Sequence, residues 1–239
     1  PSGGISPFTR TSKLWEKSSL IKPEVVFEGG NLYKTNDNQI PFSESEALQL
    51  ITTSKNYAVN GYFDSINATS AATALALNFA GKLQAKYPGL WAESIRGIIV
   101  HSAKWTQCME QQFPANNRKE MENRLRHCGY GVPSEDRALF SYGNGLTFIA
   151  QEVIQPFIKE RRDSDAKINE MHFFNFPWPH EILEDLAEVD VSMKITLSYF
   201  IEPAPGEIGW KDKYRYASCG LRFDVNRAVS YTHLRAHET

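Results

Sequence analysis

Asn67-Ala68-Thr69-Ser70-Ala71-Ala72-Thr73-Ala74 is the stretch on which the reading of the chain turns. A turn of small residues breaks directly into a helix. Apolar Ala72, Leu75, Ala76, Phe79 and Leu83 recur at helical spacing, which predicts a helix from Ser70 to about Tyr87, stopped by Pro88-Gly89. Thr69 and Ser70 are suited to cap its start. A serine placed here has its backbone N–H at the helix N-terminus, where negative charge is stabilised. That suits a nucleophile whose reaction builds an oxyanion. It equally suits a serine that only caps, so the flanking chain has to separate the two.

Downstream, Leu90, Ile95, Ile98, Ile99 and Ser102-Ala103 fall on one face and predict a second helix with Glu93 in its first turn. Upstream, Val25-Val26-Phe27 lies between Pro23 and Gly29-Gly30 and predicts a buried strand ending in a tight turn. Residues 31–56 are polar and irregular, with a short helical stretch at Ser43–Leu50. Residues 107–128 carry Arg118-Lys119-Glu120, Glu122, Arg124 and Arg126 and predict a solvated helix, broken by Gly129-Tyr130-Gly131. Glu135 to Phe140 predicts one more helical turn.

The pattern changes near Gly143. Leu146–Ile149, Val153–Ile158 and Met171–Phe176 read as strands. From Glu188 to Phe200, Val189, Val191, Met193, Ile195, Leu197 and Tyr199 alternate with polar residues, the clearest strand signal in the chain. Pro203-Ala204-Pro205-Gly206 reads as a turn and Tyr214–Val225 as a further strand. The C-terminal third is therefore expected to be mainly antiparallel β with one wet face. Residues 230–239 break the pattern and resemble translated sequencing adapter, so 229–239 is set apart as a non-native tail.

A chain of 239 residues can form one large domain or two smaller ones, each with a core. Its net charge of −2 with no basic block argues against nucleic acid or an anionic membrane surface as partner. The apolar runs fall short of a membrane span. Pro1-Ser2-Gly3-Gly4 shows no signal-peptide pattern. Cys108, Cys128 and Cys219 form neither a disulfide framework nor a CxxC metal knuckle. They read as reduced thiols and lean toward a cytoplasmic compartment. A Cys108–Cys128 bridge would require the two to meet in the fold.

Four blocks in order carry a family resemblance. Ile5-Ser6-Pro7-Phe8-Thr9-Arg10-Thr11-Ser12 with Ile21-Lys22-Pro23-Glu24-Val25-Val26 resembles the "SPFSSRG … KPDVVAPG" segment of subtilisin-like serine proteases, the subtilases. Ala68-Thr69-Ser70-Ala71-Ala72-Thr73-Ala74 resembles their "GTSxAxP" motif. Ile95–Ala103 resembles the helix that follows it, and Gly129-Tyr130-Gly131 the glycine-aromatic-glycine signature near the end of that domain. The resemblance covers about residues 1–140. A looser one joins Ile195–Phe200, Glu202-Pro203 and Tyr214–Phe223 to a β-rich domain of some bacterial subtilases.

The resemblance implies an α/β fold: the second half of a subtilase-type parallel sheet flanked by helices, followed by a mainly antiparallel β domain. Residues 1–140 would be the C-terminal half of the catalytic domain and 141–228 the β-rich domain. Ser70 would be the nucleophile, and Thr69 would support the oxyanion. The substrate would be a peptide or protein. Ala68 stands where the family has glycine, which matters if that position needs positive φ. Ala74 replaces the family proline, and a helix interior prefers alanine. Many subtilases hold calcium, but no acidic loop here matches a calcium pattern, and no metal or cofactor is expected.

The family's chain order is Asp, His, Ser. All six histidines here (His101, His127, His172, His180, His233, His237) follow Ser70. Asp37 and Asp64 precede it without the family's acidic motif. The expectation is a C-terminal part of a subtilase whose histidine, aspartate and oxyanion asparagine lie upstream, so that these residues alone are inactive. His101, on a helix expected to pack beside the Ser70 helix, reads as a hydrogen-bonded, partly buried histidine rather than a substitute base. His172 and His180 lack a third metal ligand. Glu181, Glu184 and Asp185 sit at helical spacing as a solvated face rather than joining Glu152 in acid–base work. Two rival readings stand beside the protease: a catalytically inactive subtilase-fold binding or regulatory module, and an unrelated α/β protein that matches by chance, with a β-sandwich that binds protein or sugar.

Overall fold

The computed structural model describes residues 2–14, 21–36, 42–141, 147–160, 165, 167–175, 179–186 and 189–200. The chain divides into two compact units, Pro1–Ser141 and Tyr142–Thr239.

The first unit opens with extended chain and two short antiparallel pairs. Strands β1 (Tyr33–Lys34) and β2 (Phe42–Ser43) pair first. A single 3-10 turn at Glu46–Leu48 follows, within the stretch expected to be helical. Strand β3 (Leu50–Thr53) then pairs with β4 (Phe63–Ile66), with the short helix α1 (Tyr57–Asn60) in the connection. Pairing of Leu50 with Ile66 brings β4 to its end directly before Asn67.

Helix α2 (Thr69–Lys86) follows at once and runs 18 residues. It buries Phe79 and Leu83, two of the five apolar positions that predict it. The ring of Phe79 meets Phe27 edge-on at 6.2 Å. Helix α3 (Ala92–Ser102) packs on α2 through buried Ile95 and Ile98, with Glu93 in its first turn as the sequence predicts. After it come α4 (Gln107–Gln112), α5 (Arg118–Cys128) and α6 (Glu135–Ser141), the last packed on α2 and α3.

The charged stretch 107–128 differs from the expected solvated helix in two ways. It forms two helices, split at Pro114, each with a side-chain cap: Thr106 Oγ1 accepts from Met109 N at 3.1 Å, and Asn117 Oδ1 from Glu120 N at 3.0 Å. Its C-terminal end is also buried, from Arg124 to Cys128. The arginines bury because each guanidinium finds acceptors. Arg124 Nε donates to the Phe113 carbonyl at 2.6 Å, and its guanidinium lies 4.9 Å from the Trp105 ring centroid. Arg126 Nε donates to Glu122 at 3.0 Å and its Nη1 to the Ser12 carbonyl at 3.2 Å. Buried charge is tolerated when it is paired in this way.

The expected strand at Val25–Phe27 is extended chain without a regular ladder. Tyr130 N–H donates to the Glu24 carbonyl at 2.8 Å and Val26 N–H to that of Gly131 at 3.0 Å. The two bonds are offset from a regular register. The sheets among the described residues are all two-stranded and antiparallel, so the parallel sheet expected from the family is not among them.

In the second unit, β5 (Phe157–Ile158) pairs antiparallel with β6 (Lys167–Ile168), and α7 (His180–Asp185) carries Glu181, Glu184 and Asp185 as their spacing predicts. None of its described residues is buried. Residues 190–200 form no strand, contrary to the expectation from their alternation. Val191 and Met193 are half-buried, but then Thr196 and Ser198 take the covered side and Ile195, Leu197 and Tyr199 are exposed. A shift of one residue turns every side chain to the opposite face, so one alternation does not span the segment. Residues 147–149, 153–156 and 171–175 likewise form no strand. The mainly antiparallel β domain is thus represented by the β5–β6 pair alone among the described residues. The expected elements at 203–206 and 214–225, Cys219 and the 229–239 tail lie outside the described residues. No helix among the described residues is long and apolar enough to cross a membrane.

Candidate active site

Ser70 is the second residue of α2, reached from β4 through the two-residue turn Asn67-Ala68. It is exposed, and Thr69 beside it is half-buried. The residue in the capping position is Ala68, and no side chain caps the helix, so neither Thr69 nor Ser70 acts as the N-cap expected of them. The first N–H groups of a helix have no partner within it. The helix start at Ser70 therefore presents an exposed hydroxyl beside backbone donors and the positive end of the helix dipole. Ala68 has φ 166°, ordinary extended backbone. The glycine-to-alanine departure thus carries no left-handed penalty. Ala74 sits inside an uninterrupted helix, as alanine should.

The sequence blocks read separately meet around this turn. Ser6 Oγ donates to the Gly30 carbonyl at 2.6 Å, and its own oxygen accepts from Phe8 N–H at 3.3 Å. Gly29 lies against Thr69: a Cβ there would stand 3.7 Å from Thr69 Cα. Gly30 has φ +79°, and a Cβ there would fall 2.1 Å from Asn67 Oδ1. The two glycines form a notch in which Gly30 receives the Asn67 side chain and Gly29 lies against Thr69. Both polar atoms of the Asn67 amide are buried without a hydrogen-bond partner.

The fourth block closes the far side of the same unit. A Cβ on Gly129 (φ +53°) would lie 2.3 Å from the Glu24 carbonyl oxygen, and one on Gly131 (φ +95°) 2.3 Å from that of Lys104. Trp105 Nε1 donates to the Gly129 carbonyl at 2.9 Å. Both glycines are required by close backbone approach, and Gly129 also ends α5.

The remaining candidates separate into structural and solvated groups. His127 stacks on Phe113, ring centroids 4.4 Å apart, with Nδ1 2.7 Å from the Asn123 carbonyl. His101 is half-buried in the last turn of α3. His172 Nε2 lies 3.7 Å from Glu170. No three His, Cys, Asp or Glu among the described residues gather as a metal site. Cys108 and Cys128 are both free thiols. Burial pushes the Cys128 thiol up to about 11, with Arg124 pulling the other way. A cleft of about 470 Å³ opens between α2 and α3, lined by Val25, Ala76, Ala80, Ile95 and Ile99 but not by Ser70.

Sequence reasoning missed the Asn67 amide and the Gly29-Gly30 notch. The signal for the notch was present as a glycine pair after an apolar run, but its partner lies far along the chain. It also missed the buried end of α5, where Leu125 and Cys128 sit among charged residues.

The arrangement is that of an exposed serine opening a helix after a tight turn, seated on a glycine pair supplied by an earlier segment. The profile described as "Subtilase family" matches residues 1–131, and the chain belongs to that family. It is thereby a member of a family of serine proteases, hydrolases that act on peptides and proteins. No curated protein and no solved structure matches the chain.

Proposed function

We propose that Ser70 is the nucleophile of a serine endopeptidase. Its Oγ attacks the scissile carbonyl, the peptide C–N bond breaks as the amine leaves with the proton taken from Oγ, and water then hydrolyses the acyl-enzyme to the free acid and Ser70. The Ser70 backbone N–H and the Thr69 hydroxyl stabilise the oxyanion at the start of α2. A histidine takes the Oγ proton and an aspartate orients that histidine. Both are supplied by chain outside these 239 residues, since no histidine precedes Ser70. The observation that carries the reading is Ser70 itself, exposed in the first turn of α2 directly after the Asn67-Ala68 turn. The rival reading, an inactive binding module, drew on Ala68, whose extended backbone is one that alanine adopts without strain and so does not favour that reading.

The test uses a fluorophosphonate that phosphonylates activated serines. These 239 residues alone are expected to show no labelling above chemical background. A longer chain that includes the upstream sequence is expected to be labelled at Ser70 and to hydrolyse a protein substrate. Both signals should vanish in Ser70→Ala. Proteolysis that survives Ser70→Ala would overturn the assignment.

A further inference from the structure

Beside the reading of Ser70 as nucleophile, and resting on it, stands a question of what holds the turn before Ser70 in shape. The Ala68 carbonyl accepts from Ala71 N–H at 3.1 Å, but no side chain of the turn holds it. The N-cap is an alanine with no side-chain hydrogen bond. The preceding Asn67 has a buried amide with no partner for either Oδ1 or Nδ2. An unpaired buried amide favours any movement that returns it to water. The two residues packed against the turn, Gly29 and Gly30, have the greatest backbone freedom of any residue type. Left to these elements, the turn would relax.

The one described side chain that bonds the glycine pair is Ser6. Its Oγ donates to the Gly30 carbonyl at 2.6 Å and approaches that of Gly29 at 3.5 Å. Ser6 is itself held in a turn, with its carbonyl accepting from Thr9 N–H at 3.0 Å and its Oγ accepting from Phe8 N–H at 3.3 Å. Gly29 faces Ser6 Cβ and Thr69 Cα from the same point, at 3.8 and 3.7 Å from an ideal Cβ. Gly30 faces Asn67, whose Cα is 3.3 Å from an ideal Cβ on Gly30. The contacts run Ser6, Gly30, Asn67 and, in parallel, Ser6, Gly29, Thr69. Both end at the residues flanking or preceding Ser70.

We propose that Ser6 is a positioning residue for Ser70: its hydroxyl clamps the Gly29-Gly30 notch shut on Asn67 and Thr69 and so fixes the first turn of α2. Ser6 touches no reacting atom. It acts through the backbone of the glycine pair.

The experiment reads the environment of position 70 without needing the absent base. Ser70→Cys is made in the 239-residue chain, and the alkylation rate of that thiol is followed from pH 5 to 10 by iodoacetamide and peptide mapping, which separates it from Cys108, Cys128 and Cys219. A thiol at an ordered helix N-terminus ionises below the ordinary value of about 8.5. Ser6→Ala in that background is expected to raise the thiol pKa by about half a unit, slowing alkylation at pH 7 about threefold. Ser6→Thr, which keeps the hydroxyl, is expected to restore the parent profile. Ser6→Val, which has the shape of threonine without the hydroxyl, provides a second arm should Ser6→Ala fail to fold, and is expected to shift the profile the same way. Unchanged profiles in Ser6→Ala, or in Ser6→Val where Ser6→Ala does not fold, overturn the positioning role and leave the nucleophile reading standing. A thiol in the Ser70→Cys parent with an ordinary pKa counts instead against the helix-start placement on which the nucleophile reading rests.

Discussion

The Lys104 carbonyl oxygen occupies the space where a side chain on Gly131 would begin, 2.3 Å from an ideal Cβ. Two backbone bonds lock this approach: Lys104 N–H to the Val132 carbonyl at 3.0 Å and Val132 N–H to that of Lys104 at 2.8 Å. With φ at +95°, an alanine there is strained by its own backbone as well as by the neighbour. Gly131→Ala is expected to destabilise the chain by roughly 3 kcal/mol, from left-handed strain and overpacking together. Gly81 is the control. It lies inside α2 with nothing within 4 Å of its ideal Cβ. Gly81→Ala is expected to add about 0.5–1 kcal/mol. Urea unfolding midpoints of the two variants should move in opposite directions.

Arg124 is 8% exposed and joins three elements through one guanidinium. It bonds the Phe113 carbonyl at 2.6 Å, stacks over Trp105 at 4.9 Å and stands 4.0 Å from Glu110. The first two contacts need a planar, delocalised cation. Arg124→Lys is therefore expected to cost about 2 kcal/mol despite keeping the charge. Glu110 is half-exposed, and Glu110→Gln is expected to change stability by less than about 0.5 kcal/mol. Equal losses from the two substitutions would show that the ion pair, not the stacking and the backbone bond, dominates.

Helices were the part of the fold that the sequence made legible. Phe79 and Leu83, or Ile95 and Ile98, lie within two turns of each other, and their spacing alone reports the buried face. Strand pairing is not local in that sense. The alternation from Val189 onward records a side-chain pattern, yet a strand also requires a neighbour to bond, and residues 190–200 form none. Charge misled in the opposite direction. Arg124 and Arg126 counted as solvated because their acceptors, the Phe113 and Ser12 carbonyls, cannot be found by inspecting the helix itself. The candidate site divides along the same line. The turn into Ser70 is contiguous and was readable. The notch of Gly29 and Gly30 that receives Asn67 exists only once two distant segments approach.

Alkaline pH should loosen the first unit through Cys128. Burial raises its thiol from an ordinary 9.0 to about 11, partly offset by Arg124. The folded state thus holds the proton more tightly than the unfolded chain. Between those two values the unfolded state binds fewer protons, so stability falls as pH rises. The contribution is fully present below pH 9 and lost on passing to about 11. It amounts to about 3 kcal/mol. Tyr130 shifts upward for the same reason, burial, and adds to the loss at the alkaline end. Urea unfolding at pH 8 and pH 10.5 should show the decline, and Cys128→Ala should flatten much of it. Iodoacetamide should modify half-buried Cys108 in the folded chain well before Cys128.

The pairing of Gly30 with Asn67 makes the sharpest demand on the site. A methyl group on Gly30 would meet Asn67 Oδ1 at 2.1 Å and Asn67 Cα at 3.3 Å, on a backbone with φ +79°. Gly30→Ala is therefore expected to destabilise by roughly 2–3 kcal/mol. Asn67→Ala removes the atom that collides and also an amide that is buried without a partner. Leaving such a group unpaired costs about 1–3 kcal/mol, so its removal is expected to be close to neutral even after the lost packing. In the double variant the methyl group takes the space vacated by the amide, while the left-handed strain persists. The double variant should thus be more stable than Gly30→Ala alone, with a coupling of about 1–2 kcal/mol between the positions. Additive losses across the cycle, measured by urea unfolding, would mean that the two residues do not share the notch. A coupling of the expected sign, found also in the alkylation rate of a Ser70→Cys background, would tie the fit of this notch to the geometry at position 70.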